Sequence, residues 1–333
     1  MKQRQRGRAL FSTLVVLIAG ALVPLTVAAP AEGGSPECEH DPTTRRVSIA
    51  AEEWTAFRRE GRDIQYKFVY ETEYSNCDGA TVDNTDLIDF TDTSASGEIL
   101  IFIDLSRGHF TPGATPENQG LSEIEFRLRQ EAVKPKPQFL FIEGTDHSDF
   151  FIGGARGMKL NRDNDLDVEF RTSEGRLDID AEAGNDEVYL DGRNGTGPFN
   201  PEASYPHVVH GDRGNDVLVG STLEDILDGG AAHDRLRGGA GNDDILSEGG
   251  DDRMWGQDGK DFLSGLDGDD YVIAGGGHDK IKGDEGDDHL EGSRGDDRIV
   301  GGRGNDHLDG DSGIDICYPG GGKDTKEDCE RGS

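Results

Sequence analysis

The chain has 333 residues, with 34 Lys and Arg against 68 Asp and Glu, giving a formal net charge of −34. So acidic a surface repels nucleic acid and anionic lipid, so neither is an expected partner. Hydrophobic residues make up only 33% and glycines number 49, which excludes a thick apolar core along most of the chain.

At the start, Lys2, Arg4, Arg6 and Arg8 form a basic head, residues 10–29 are apolar, and Ala29-Pro30-Ala31 offers a small-x-small cleavage site. Residues 1–31 therefore read as a secretory signal peptide, with an uncleaved membrane anchor as the alternative. The expected location is secreted and extracellular, with no membrane association after signal cleavage. Four cysteines fit an oxidising compartment. Of the three pairings, the local ones are favoured, Cys38 with Cys77 and Cys317 with Cys329; the alternative is free buried thiols.

Residues 32–143 form a Cys-bracketed, β-rich N-terminal region. Alternating segments at 64–70, 99–103 and 124–128 read as strands, and residues 52–60 as a short helix. Residues 111–116 read as a loop and 134–137 as a stiff connector. Residues 144–210 look like divergent repeats with an insertion. GTDHSDFFI (144–152) places Asp149 and Phe151 in register, and AEAGNDEVY (181–189) does so with Gly184, Asp186 and Val188.

From 211 to 318 a nine-residue unit repeats twelve times without insertion or deletion, its cleanest copy being GGRGNDHLD at 301–309. Position six is always Asp and position eight is apolar from Leu218 to Cys317. Glycine dominates positions one and four. An acidic disordered tract has no need of this phase, which indicates one supersecondary unit stacked on itself. Glycines make the turn, and position eight faces inward from a short strand while positions seven and nine face out, as in Arg235-Leu236-Arg237 and Lys280-Ile281-Lys282. Residues 319–333 would close the end as a disulfide cap.

Stacking aligns the aspartates about 5 Å apart, at the strand spacing, where like charges repel. A hard, oxygen-seeking cation relieves that repulsion. Calcium fits best, because it accepts six to eight oxygens, including carbonyls, whereas zinc would need regular His or Cys positions. The metal candidates are Asp216, Asp243, Asp252, Asp261, Asp270, Asp279, Asp288, Asp297, Asp306 and Asp315, with the carbonyls of Gly241, Gly250, Gly259, Gly268, Gly277, Gly286, Gly295 and Gly304. Asp225 and Asp234 are left out, because Leu223 and Ala232 replace their turn glycine. Several calcium ions are expected, with folding and binding as one event.

The unit resembles the GGxGxDx(apolar)x nonapeptide of RTX proteins. That resemblance implies an all-β fold, a right-handed parallel β-roll or β-solenoid with calcium held between turns of successive coils. Cys77-Asp78-Gly79-Ala80-Thr81, Phe110-Thr111-Pro112-Gly113-Ala114 and Asp315-Ile316-Cys317 also resemble secreted bacterial calcium-binding proteins whose leading region is a divergent solenoid. A separate small β-sandwich is the alternative for that region.

No catalytic motif is found. His207 and His210 lack the spacing and the glutamate of HExxH, and His233, His278, His289 and His307 fall at outward or turn positions. Asp104, His109, Glu123 and Glu125 are the best acid–base candidates. The expected function is a non-catalytic, secreted calcium-binding protein with a structural or surface role. Two alternatives stand beside it: an adhesion module contacting an extracellular matrix or cell-surface partner through the N-terminal region, and a hydrolase-like enzyme with an unrecognised site there.

Overall fold

The computed structural model describes residues 15–18, 21–24, 38–42, 46–51, 55–60, 63–68, 74–81, 87–92, 99–105, 125–130, 138–154, 157–159, 168–169, 176–193 and 206–330. Met1–Ser35 forms a unit by itself, in which Val15–Ile18 pairs antiparallel with Ala21–Pro24. The expected cleavage site, the loop at 111–116, the connector at 134–137, and His109 and Glu123 lie outside the described residues. No helix among the described residues is long and apolar enough to cross a membrane.

Pro36–Ser333 is a second unit, built as a parallel β-solenoid. Strands of the array alternate between two sheets and pair in parallel with the strand 18 residues on, as in Leu236↔Met254 and Ile245↔Leu263. One coil is therefore two nonapeptides. The first sheet contains fifteen described strands and ends at Thr325–Glu327; the second contains thirteen and ends at Ile316–Gly321.

Both sheets continue upstream through longer coils. In the first, Arg46–Ala51, Leu87–Asp92, Glu125–Gln130 and Val168–Glu169 pair in parallel. In the second, Thr55–Glu60, Ile99–Asp104, Gln138–Glu143, Arg176–Asp180 and His207–His210 do the same. The leading region thus shares its sheets with the array. Asp104 and Glu125 stand in different sheets.

The helix expected at 52–60 is replaced by the strand Thr55–Glu60. Ladder bonds to Ile99–Asp104 and Asp63–Phe68, together with full burial of Phe57, override its local helix preference.

Between the sheets runs a single file of apolar side chains. All twelve position-eight residues of the array are fully buried, with flanking Arg235, Arg237, Lys280 and Lys282 exposed. The cysteines pair locally at both ends. Cys38–Cys77 (Cα–Cα 5.4 Å) joins the N-terminal edges of the two sheets, and Cys317–Cys329 (5.9 Å) ties the tail to the last core position. Pro319–Glu327 adds a thirteenth nonapeptide, its strand pairing with His307–Asp309. Its position eight is exposed Lys326, a charged residue where the other units carry a buried apolar one.

Candidate metal centre

Every position-six aspartate of the array is buried, with at most 2% of its surface accessible. These residues line up in two columns, one along the turns entering each sheet. Along a column, each aspartate N–H donates to Oδ1 of the aspartate one coil further on. Asp252 to Asp270 is 2.9 Å, Asp270 to Asp288 3.0 Å, Asp243 to Asp261 2.9 Å and Asp279 to Asp297 2.7 Å. The first column runs Asp149, Asp186, Asp216, Asp234, Asp252, Asp270, Asp288, Asp306 and Asp324. The second runs from Asp225 through Asp243, Asp261, Asp279, Asp297 and Asp315, and Glu330 takes the next place.

Oδ1 is therefore satisfied, and Oδ2 is not. Oδ2 of Asp186, Asp216, Asp234, Asp243, Asp252, Asp261, Asp270, Asp279, Asp288, Asp297, Asp306 and Asp315 is buried without a hydrogen-bond partner. Orphaned buried polar atoms are costly and call for an unseen partner. All ten candidate aspartates fall in this set. Asp186 and Asp234 share the geometry, although Asp186 precedes the strict array and Asp234 follows Ala232. Ala232 takes the same left-handed φ (+106°) as the glycines it replaces. Asp225 is absent from the set.

Desolvation is the largest cause of the resulting pKa shifts. Burial pushes Asp216, Asp270 and Asp297 up to about 7 and Asp243 up to about 8, while Asp261, Asp279 and Asp288 rise to about 6. Asp252, Asp306 and Asp315 are raised in the same way. The N–H from the preceding rung pulls each of them down, and neighbouring carboxylates push most of them further up.

The turn glycines serve two separate purposes. At position four, φ is left-handed at most of the glycines, though not at Gly277 or Gly313, and the carbonyl packs onto the next coil: a Cβ on Gly259 would fall 1.4 Å from the Gly241 oxygen and 2.9 Å from Asp261 Oδ1. Gly241, Gly250, Gly259, Gly268, Gly277, Gly286, Gly295 and Gly304 each donate their N–H to the next coil. Among the described residues no backbone N–H outside the strands donates to their carbonyls. Position one instead needs space. A Cβ on Gly256 would sit 2.3 Å from Asp261 Oδ2 and 2.5 Å from the Ala274 carbonyl oxygen.

Among the described residues, no three His, Cys, Asp or Glu side chains converge on a point. An ion held here must combine carboxylate oxygens with backbone carbonyls, which is the donor set calcium accepts and zinc does not. The orphaned Oδ2 atoms and the glycine cradles fit such an ion. Residues 210–245, 219–254, 246–281, 255–290, 282–317 and 291–325 match the RTX calcium-binding nonapeptide repeat family. Residues 210–325 are an RTX calcium-binding array. No curated protein matches the chain.

Three features of the roll escaped sequence reading. Position two is left-handed at non-glycine residues such as Glu248, Gln257, Leu266 and Asp284, where no residue type signals it. Position five forms a second, exposed ladder running the other way: the N–H of Asp251 donates to His233 Nδ1, that of Asp269 to Asp251 and that of Asp287 to Asp269. His233 and His278, read only as outward or turn residues, both serve as rungs. Finally, His207 stands where the second column would place an aspartate, opposite Asp225. It is fully buried, accepts the Leu177 N–H at Nδ1 (3.0 Å), and is held neutral by desolvation, its pKa pushed down to about 3.

Proposed function

We propose that this chain is a secreted, non-catalytic calcium-binding protein whose RTX roll folds as several calcium ions enter the two aspartate columns outside the cell. The observation that carries this reading is the run of buried, unpartnered Oδ2 atoms. Position-six aspartates and position-four carbonyls would supply ligands, and the ions would offset the mutual repulsion of the columns. Extracellular calcium modules bind at about 10⁻⁴–10⁻³ M, so the roll would stay open in a calcium-poor cytosol and close after export. The basic head and apolar run of residues 1–31 support export, and the two local disulfides support an oxidising destination. The finished roll is a stiff, strongly acidic rod, suited to a structural or surface role. Calorimetric titration with calcium, with magnesium as control, tests the reading. Cooperative, multi-site heat with calcium alone is expected, and equal or absent responses to the two ions would overturn it.

A further inference from the structure

Two aspartates depart from the rule that Oδ2 is left free, and they stand at the N-terminal ends of the two columns. Asp149 begins the first and Asp225 the second. In each case the residue four positions earlier carries a hydroxyl and closes on the carboxylate. Thr145 donates its backbone N–H (2.7 Å) and its Oγ1 (3.1 Å) to Asp149 Oδ2. Ser221 donates its N–H (2.6 Å) and Oγ (3.0 Å) to Asp225 Oδ2.

The backbone agrees. Position two is left-handed at Glu182, Asp212, Glu248, Gln257 and Leu266, but not at Thr145 or Ser221. Position four is His147 or Leu223 in place of glycine, and its N–H turns back to the hydroxyl, 3.1 Å at His147 and 3.0 Å at Leu223. GTDHSD and GSTLED thus share one local design, a position-two hydroxyl with a non-glycine position four, found at two places far apart in the chain.

We infer that these two turns are metal-free plugs that fix where each calcium column begins. The hydroxyl and N–H supply the donors that a cation would otherwise replace, so Asp149 and Asp225 take no ion. The first column then admits its first ion beside Asp186, upstream of the residues that match the RTX family. Asp186 is fully buried, accepts the Asp149 N–H at Oδ1 (2.6 Å), donates to Asp216 (2.7 Å) and keeps Oδ2 unpartnered. The Gly184 carbonyl beside it faces Gly214 as Gly241 faces Gly259, with a Cβ on Gly214 falling 1.3 Å from that oxygen. In the second column the first free Oδ2 belongs to Asp243. Because the plugs close without metal, the N-terminal end of each column is ordered before calcium arrives and offers a template for the coils below.

This inference rests on the calcium reading above, and the test separates the two. Bound calcium per chain is counted by equilibrium dialysis of the full, oxidised protein, with far-UV circular dichroism as the check on folding. Asp261→Asn serves as the reference and should lose at least one ion. Asp186→Asn should lose at least one as well, Asp225→Asn should keep the full count, and Ser221→Gly should gain one. An ion lost from Asp225→Asn, or a full count in Asp186→Asn, would overturn the plugs. No calcium on the wild-type chain, or none lost from Asp261→Asn, would instead overturn the calcium reading itself. If Ser221→Gly does not fold, the Asp225→Asn and Asp186→Asn pair still decides.

Discussion

The backbone N–H of Asp261 donates to Oδ1 of Asp279, 2.8 Å away and one coil further on. That bond sets the chemistry of the column. It fixes one carboxylate oxygen against the chain, turns the other toward the glycine at position one, and leaves it buried with no partner. Repeated along both sides of the roll, it produces two lines of carboxylates whose second oxygens wait for a cation.

Removing one carboxylate should therefore weaken the whole array. Asp261→Ala and Asp270→Ala each take one ligand from a different column. Each should raise the midpoint of the calcium-driven transition by about threefold to tenfold, up to ~1.4 kcal/mol, and lower its cooperativity. Lys260→Ala should leave both unchanged, because the exposed Lys260 contributes only its backbone N–H to Asn242. Calcium titrations of the three variants check this, and equal effects in all three would contradict the ligand assignment.

Proton and calcium compete for the same oxygens. In the folded roll Asp216, Asp243, Asp261, Asp270, Asp279, Asp288 and Asp297 are raised to between about 6 and about 8, against roughly 3.9 in an unfolded chain. A raised carboxylate pKa stabilises the fold at acid pH, with the contribution fully present below the unfolded value and lost as pH rises through 6 to 8. In chelator, any β content the protonated chain retains at pH 5, read by far-UV circular dichroism, should be lost as pH rises to 8. With calcium saturating, that loss should vanish, and the calcium midpoint should improve over the same interval. A metal-free chain that gains β content from pH 5 to pH 8 would contradict the burial of these groups.

Glycine substitutions separate turn from spacer. Gly259→Ala puts a side chain at φ +154° and 1.4 Å from the Gly241 oxygen, so adjacent coils must part. A loss of about 1–3 kcal/mol in the calcium-bound state is expected, in line with the cost of strained backbone. Gly249→Ala meets nothing within 4 Å and should be close to neutral. Chemical denaturation of the two variants in saturating calcium measures the difference.

Much of the array was legible because its nine-residue phase places one carboxylate and one apolar residue at fixed positions. Each inward apolar position from Leu218 to Cys317 is buried, and each position-six aspartate stands in a column. Position one was misread as a turn. Its glycine is set by the Oδ2 atom five residues on, a contact that needs the folded turn to be seen. The left-handed position two was hidden because ladder bonds impose that conformation on Glu248, Gln257 and Leu266 alike. Asp324 sat in phase with Gly322, but Lys326 broke the apolar position that would have marked a thirteenth unit. Upstream, Asp186 lies 30 residues from its column neighbour Asp216, so the intervening insertion conceals the shared register.

The most direct test of the calcium-folded roll is far-UV circular dichroism of the mature chain during a calcium titration, with magnesium as control. The account predicts a cooperative transition from largely unordered to β-rich that only calcium produces. A spectrum already fully β-rich in chelator and unchanged by calcium would contradict it, because the core and disulfides would then fold the chain without the ions.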